Sequence, residues 1–505
     1  MAIINSIASW LMKKRMHQIE LFMKYPLEVQ REGLNKLLKA GAETQWGKLY
    51  DYKSIDNPKM FSERVPLQDY DSLKPYIDKI RKGEQNVLWN TEIKWFAKSS
   101  GTTNDKSKFI PISNESLEEC HFKGGKDMLS IYCNNFPEAQ LFTGKSLTLA
   151  GSLRNVEGLE TVYDGDLSAV IVQNLPLLAE LARTPNSEIT LMDGWDQKIE
   201  LLANATINEN VTSLVGVPSW MLILLRYVLD KTNKKNLHDV WPNLEVYFHG
   251  GINFNPYLNH FKNIIPNNIF YLETYNASEG FFGIQDQINS KDFLLMLDYG
   301  IYYEFIPFSQ NSSNNPKVIL LQEVELNTDY AVVISTNGGL WRYQIGDTIQ
   351  FTSLNPYRFK IVGRTKHFIN AFGEELMIDN AEQALLIACE KTNAAIIEYT
   401  AAPIFFDDKN SGSHQWIIEF EKSPDDINFF AELLDNALKN LNSDYEAKRF
   451  GDILLKNPQV IQAKKGTFFN WLKSKNKLGG QFKVPRLSNE RKIISEILSQ
   501  MNNDA

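Results

Sequence analysis

The sequence predicts an α/β fold in which a large N-terminal domain of helix-covered β-sheets is followed by a smaller, mobile α+β C-terminal domain. Between residues 147 and 351, short β-rich runs alternate with helix-like stretches, the order expected of a mostly parallel sheet covered by helices. Beyond about residue 370 the order changes to a helix, two strands and two further helices, enough for a separate core. Composition agrees: 505 residues, 43% hydrophobic and 23% charged, match ordinary globular chains and exclude disordered, collagen-like or coiled-coil classes. A chain this long is expected to form two or three units.

From residue 4 to 38 apolar side chains recur at spacings of three and four, as at Ile7, Trp10, Leu11, Ile19 and Phe22, and Pro26 divides the stretch into two helices. Residues 1–40 are expected to pack on the main body, with a helix lying on a membrane surface as the other reading of the same pattern. The β-rich runs follow at 146–150, 213–217, 244–248, 269–272, 317–321 and 330–334, with a helix pattern at 220–229. In the tail, helices are expected at 379–391, 427–449 and 489–501, and strands at 395–399 and 416–421. The polar stretch 309–316 reads as an exposed loop.

Lys and Arg number 53 against 61 Asp and Glu, a net charge of −8, so no overall basic field exists to meet a nucleic-acid backbone. Three cysteines, Cys120, Cys133 and Cys389, cannot build a disulfide framework and show no C-x-x-C spacing, which fits a reducing cytoplasm. The basic cluster Lys13-Lys14-Arg15 follows the N-terminal apolar run, whereas a secretory signal places its charge first. No apolar stretch approaches the ~20 residues that span a bilayer. A soluble protein is expected.

Several catalytic signatures are excluded. Gly144-Lys145-Ser146 lacks the upstream glycine of a P-loop, since Ala139 stands there. There is no G-x-S-x-G elbow, H-E-x-x-H or EF-hand loop, and the seven histidines are scattered.

Three motifs remain. Ser99-Ser100-Gly101-Thr102-Thr103, leading to Lys108, combines hydroxyl donors, a glycine that lets backbone N–H groups approach an anion, and a cation. The same composition also makes ordinary surface loops. Tyr275-Asn276-Ala277-Ser278-Glu279 closes a β-type run with a polar turn, and ligands collect at the carboxyl ends of strands in open α/β sheets. Glu279 there is suited to Mg²⁺, which bridges a few protein oxygens to phosphates. Tyr343-Gln344-Ile345-Gly346-Asp347 reads as a turn between two β-rich runs, with an acid suited to ribose hydroxyls. Gly363-Arg364-Thr365-Lys366 follows at the expected domain boundary.

In this order and spacing the motifs resemble the GH3 family of acyl-acid amido synthetases, a branch of the adenylate-forming superfamily, over most of the chain. Trp241-Pro242-Asn243 and Phe282-Gly283-Ile284 add to the likeness. The resemblance implies ATP binding by Ser99, Ser100, Gly101, Thr102, Thr103, Lys108, Tyr275, Asn276, Ser278, Tyr343, Asp347 and Arg364, with Mg²⁺ at Glu279. It implies an adenylate-forming-type domain over residues 1–366, a small domain over 367–505, and a hinge at Lys366. Gln481-Phe482-Lys483-Val484-Pro485-Arg486 resembles the segment carrying a family lysine that reaches the reacting phosphate, so Lys483 and Glu279 are the expected catalytic residues.

Val217 and Trp220 are expected at a wall of the acyl pocket. Gly250 and Gly251 would let the acyl-adenylate lie close against the backbone. An aromatic core and a tight turn are the plainer readings of those four residues. Asp105 and Gln344 depart from the family pattern, which commonly has glycine and arginine there. The implied reaction is activation of a carboxylic acid by ATP, releasing pyrophosphate, then acyl transfer to an amino acid or other amine, releasing AMP. The alternatives are an acyl-CoA synthetase with a thiol acceptor and a catalytically silent nucleotide or acyl-acid binding protein.

Overall fold

The computed structural model describes residues 2–503 except 100–107, 157–158, 160, 194, 252–253, 255–257, 267–268, 311–315, 365–367, 370–373, 375, 405–411, 443–444, 447–448, 450–454, 476–482 and 489. The chain divides into two compact units, one formed by residues 1–254, 259–345 and 349–360, the other by 255–258, 346–348 and 361–505.

The first unit opens with the two expected helices, Ala2–Lys24 and Pro26–Gly41. Proline is tolerated at a first helical position because its missing N–H would be unsatisfied there anyway. Ile19, Phe22, Leu34, Leu37 and Leu38 turn inward, and Arg15 pairs with buried Asp127 at 2.6 Å. A small sheet runs in the order Lys108–Ile112, Trp95–Ser99, Tyr163–Gly165, Leu153–Asn155. Its first two strands are antiparallel, and Ser99 faces Lys108 across the last pair.

In the twelve-stranded sheet four adjacent pairs are parallel and at least five antiparallel, which corrects the expectation of a mostly parallel one. Phe270–Ala277, Val246–Gly250, Val211–Val215, Lys145–Thr148 and Arg183–Thr184 form consecutive parallel pairs. Beyond Phe270–Ala277 the pairing reverses to Gly280–Ile284 and Phe293–Leu295, and Ile301–Pro307 is antiparallel to Asp329–Thr336. The sequence conceals this because Ile301–Pro307 is buried at six successive positions and Asp329–Thr336 at seven. Strands covered on both faces read as continuous apolar runs rather than alternating ones.

The second unit carries the antiparallel pair Ala395–Ile404 and Ser413–Lys422, with Gln459–Ala463 parallel to the latter. Alternation along the central strand serves two cores: Trp416, Ile418 and Phe420 pack with Phe430 and Leu434, while Ile417 packs with Phe468, Val484 and Ile497. The helix expected over 427–449 ends at Leu441, because Asn442 turns extended and its side chain accepts the N–H of Tyr445. Among the described residues no helix is long and apolar enough to cross a membrane.

Arg342 ties the first unit together. Its guanidinium, 3% exposed, donates to Glu304 at 2.9 Å and to the carbonyls of Ser62 at 2.7 Å and Val65 at 2.5 Å. Removing one partner of a buried pair strands the other charge in a medium that cannot solvate it, at ~3–5 kcal/mol. Arg342→Met is therefore expected to lower stability by that amount, read from the urea midpoint, whereas Lys74→Met at the exposed Asp78 pair shifts it by under ~1 kcal/mol.

Candidate active site

The segment expected to bind phosphate lies between adjacent antiparallel strands that end at Ser99 and resume at Lys108. Ser100, Gly101, Thr102 and Thr103 lie outside the described residues. On the returning strand the Phe109 N–H donates to the Tyr70 hydroxyl at 2.9 Å, and the Lys108 ammonium lies 5.9 Å from the Tyr70 ring centre.

The second motif occupies a hairpin tip. Ala277 pairs with Gly280, so Ser278 and Glu279 form the turn between Phe270–Ala277 and Gly280–Ile284. This is where parallel pairing gives way to antiparallel, the kind of switch at which open sheets hold ligands. Tyr275 and Ser278 are buried, while Asn276 and Glu279 remain partly accessible.

The third motif differs from its expected form. Tyr343 does not sit in a turn but opens a twelve-residue strand, Tyr343–Leu354. The chain reverses earlier, at Gly339 and Arg342, with φ of 86° and 46°. Pairing with Gln68 starts the strand at Tyr343: Gln344 N–H donates to Gln68 O, and Gln68 N–H to Arg342 O. Tyr343 is fully buried, and its hydroxyl has no hydrogen-bond partner among the described residues. Burial pushes its phenol well up, and the nearby Glu279 carboxylate pushes the same way. Gly346 has φ 85°, and Asp347 beyond it is 6% exposed.

A segment that motif reading missed follows the returning strand. Ser113 Oγ donates to the Asn337 carbonyl at 2.6 Å, Ser116 Oγ to Asn337 Oδ1 at 3.1 Å, and Asn337 Nδ2 to Glu115 O at 3.1 Å. Residues Ser116–Phe122 then form a π-helical turn. Their sequence carries no signature, and only the contacts reveal them.

Trp220 is 7% exposed on the helix Pro218–Thr232, and Val217 caps that helix. Gly250 ends its strand where a Cβ would lie 2.4 Å from Thr274 O, and Gly251 has φ 81°. His249 stacks on Phe254 at 4.0 Å within a cluster of Tyr247, Phe261 and Tyr271, and burial pushes its pKa down to about 3. Glu273 pairs in register with His249; burial raises its carboxyl to about 7, against the opposing charge of Lys291. Lys198 donates to the carbonyls of Ala150 at 2.7 Å and Gly151 at 3.0 Å, and burial lowers it to about 8. Burial raises Asp166 to about 6, against the lowering effect of the Ser152 N–H, Lys198 and Lys98.

In the second unit Lys483 is exposed and Val484 beside it is buried. Arg486 pairs with Glu398 at 2.9 Å and lies 4.7 Å over the Tyr399 ring, Thr400 Oγ1 donates to Pro485 O at 2.6 Å, and Ala401 bridges Leu487. Arg364 ends the strand Tyr357–Arg364, and Lys366 lies outside the described residues. Among the described residues no group of three or more His, Cys, Asp or Glu is placed to hold a metal.

The fold superposes on "GH3.15 acyl acid amido synthetase" with a TM-score of 0.80 at 18% identity, covering 96% of each chain. It superposes on 2-hydroxyisobutyryl-CoA ligase with a TM-score of 0.60 at 12% identity, covering 94% of this chain and 91% of that one. Residues 15–269 match the GH3 family N-terminal domain, 294–364 the central domain and 379–492 the C-terminal domain. The chain belongs to the GH3 family. Among curated relatives, indole-3-acetic acid-amido synthetase GH3.3 of Arabidopsis thaliana is 21% identical, over 91% of this chain and 89% of its own. Jasmonoyl–L-amino acid synthetase JAR6 of Nicotiana attenuata is 23% identical, over 94% and 93%.

Glu273 sets a pH test. Its folded pKa, about 7, lies above the usual 4.5, so the native state binds the proton more tightly than the unfolded chain. That contribution is complete below about pH 4.5 and is lost as pH rises through about 7. Glu273→Gln, which keeps the neutral form's shape, should therefore match the wild-type melting temperature at pH 5 and exceed it at pH 8. The two melting curves check it.

Proposed function

We propose that this chain is an ATP-dependent acyl-acid amido synthetase. The observation that carries the reading is the hairpin turn Ser278-Glu279 at the sheet's switch point, which sets a carboxylate at the carboxyl end of the strand Phe270–Ala277. Membership of a family whose curated relatives are amide-forming ligases supports it.

In the first half-reaction a carboxylate oxygen of the acid attacks the α-phosphorus of ATP, and the bond to the β-phosphate oxygen breaks to release pyrophosphate. In the second an amine nitrogen attacks the acyl carbon, AMP leaves with its oxygen, and the nitrogen loses a proton. Ser99, Ser100, Gly101, Thr102, Thr103 and Lys108 bind the phosphates, Tyr275 and Asn276 flank the nucleotide, and Asp347 takes the ribose hydroxyls. Lys483 stabilises the charge that grows on the reacting phosphate, and Arg364 lies near the ribose or phosphate. Glu279, a partly accessible carboxylate on a turn, fits Mg²⁺, which holds few protein oxygens when phosphates supply the rest. Bound there, Mg²⁺ would supply positive charge to the phosphate oxygens. Val217, Trp220, Gly250 and Gly251 border the acyl group. The small domain, residues 367–505, moves about Lys366 between the half-reactions, since one set of residues serves two acceptors in turn.

An acid-dependent ATP–pyrophosphate exchange panel tests the first half-reaction, and amine against thiol acceptors tests the second. Exchange without amide formation in the presence of coenzyme A and amino acids would favour the thioester reading. Asp347→Ala is expected to weaken ATP binding. Lys483→Ala is expected to slow exchange ~10²–10³-fold with ATP affinity nearly unchanged, because its charge acts only as the transition state forms. Lys477→Ala is the control, and equal rates for the two variants would remove Lys483 from the mechanism.

A further inference from the structure

The π-helical turn Ser116–Phe122 lies against the hairpin that carries Ser278 and Glu279. Asn276 and Phe281 are cross-strand partners, one pair below the tip. Consecutive residues of the turn reach one each: Cys120 Sγ accepts the N–H of Phe281 at 3.2 Å, and His121 Nδ1 meets Asn276 Oδ1 at 3.0 Å. An α-helical turn spaces successive side chains about 100° apart around the axis; a π-turn, common at functional sites, widens the helix and re-aims them. Gly124 closes the fit, since a Cβ there would lie 2.4 Å from the Phe281 ring.

Burial lowers the His121 pKa to about 4, so the imidazole is neutral over the working range. A neutral imidazole facing a carbonyl oxygen must carry its proton on the nitrogen that faces it. With Asn276 Oδ1 toward the ring at 3.0 Å, the Nδ1–H tautomer of His121 holds the amide oxygen inward, and the NH₂ becomes the group Asn276 offers to a ligand.

We propose that His121 is a positioning residue for nucleotide binding, orienting the Asn276 amide so that it presents a donor to the acceptor nitrogens of the adenine base. This rests on the reading of Asn276 as part of the ATP site. His121 touches no substrate and acts only through Asn276.

The variants follow from the geometry. His121→Phe keeps a planar ring and removes the donor, so Asn276 is free to turn its oxygen outward. His121→Asn places an amide nitrogen where Nδ1 stood while leaving part of the ring's volume empty. The full chain is titrated with ATP by calorimetry, and pyrophosphate exchange is measured with an accepted acid. His121→Phe should weaken ATP binding and raise the KM for ATP about tenfold, the order of one hydrogen bond to a ligand, with the KM for the acid and kcat within about twofold. His121→Asn should return ATP affinity to within about threefold of wild type even though its melting temperature falls. A purely structural role would make affinity follow melting temperature, so His121→Asn would be the worse variant. That order, unchanged ATP affinity in His121→Phe, or an equal loss for acid and ATP would each overturn the proposal. Wild-type protein that binds no ATP overturns both this and the proposed function. Wild-type protein that binds ATP but exchanges pyrophosphate with no acid overturns the function alone, leaving the affinity order to decide the role of His121.

Discussion

The constraint on which the rest of the first unit depends is the reversal of pairing at the strand Phe270–Ala277, parallel to Val246–Gly250 on one side and antiparallel to Gly280–Ile284 on the other. Parallel strands send their carboxyl ends to one edge, so Gly250 and Ala277 emerge together. The next strand must return from that edge at once, and the connection is two residues long, Ser278 and Glu279. A turn this short has few conformations, because both ends are fixed by ladder pairs. Glu279 is thus held on a short turn between ladder pairs, which suits a carboxylate asked to meet a cation at fixed distance.

Around that turn the interior is kept largely neutral. His121 and His249 are held uncharged by burial, the Cys120 thiol is pushed up to about 12, and the phenol of Tyr343 is raised well beyond its usual range. Among the cations of the same unit, Lys108 is half-buried. Few charges beside a low-dielectric wall act more strongly than many charges in water, and they need no reorganisation when charge develops on a substrate. For a reaction without a protein nucleophile, such an arrangement is the main resource a fold can offer.

Much of this was legible in the sequence, and the failures have particular causes. The N-terminal helices announced themselves through period and proline, and the parallel strands through β-rich runs between helix patterns. The antiparallel part was hidden because Ile301–Pro307 and Asp329–Thr336 are covered on both faces and lack alternation. Strands as short as Leu153–Asn155 and Tyr163–Gly165 carry too few residues for any period. Tyr343-Gln344-Ile345-Gly346-Asp347 read as a turn because its glycine and acid resemble turn residues, yet pairing with Gln68 draws Tyr343 into a strand and buries it. Ser113, Ser116 and His121 were missed for a different reason: their partners, Asn337 and Asn276, are more than 150 residues away, and no local pattern records such a contact.

The second unit shows how structure separates residues that sequence leaves equivalent. Lys464, Lys465, Lys473, Lys475, Lys477 and Lys483 make the stretch before the last helix uniformly basic. Lys475 is paired with Glu496 at 3.1 Å. Lys483 is followed at once by an anchor: Val484 enters a core, the Pro485 carbonyl accepts Thr400, and Arg486 is fixed between Glu398 and the face of Tyr399. A lysine loses roughly 1.5–2 kcal/mol of side-chain freedom when it is held in place, more if its backbone must be ordered as well. Three anchored residues remove the backbone part of that cost before any ligand arrives. Arg486, fixed between Glu398 and the face of Tyr399, thereby holds the backbone beside Lys483 in place.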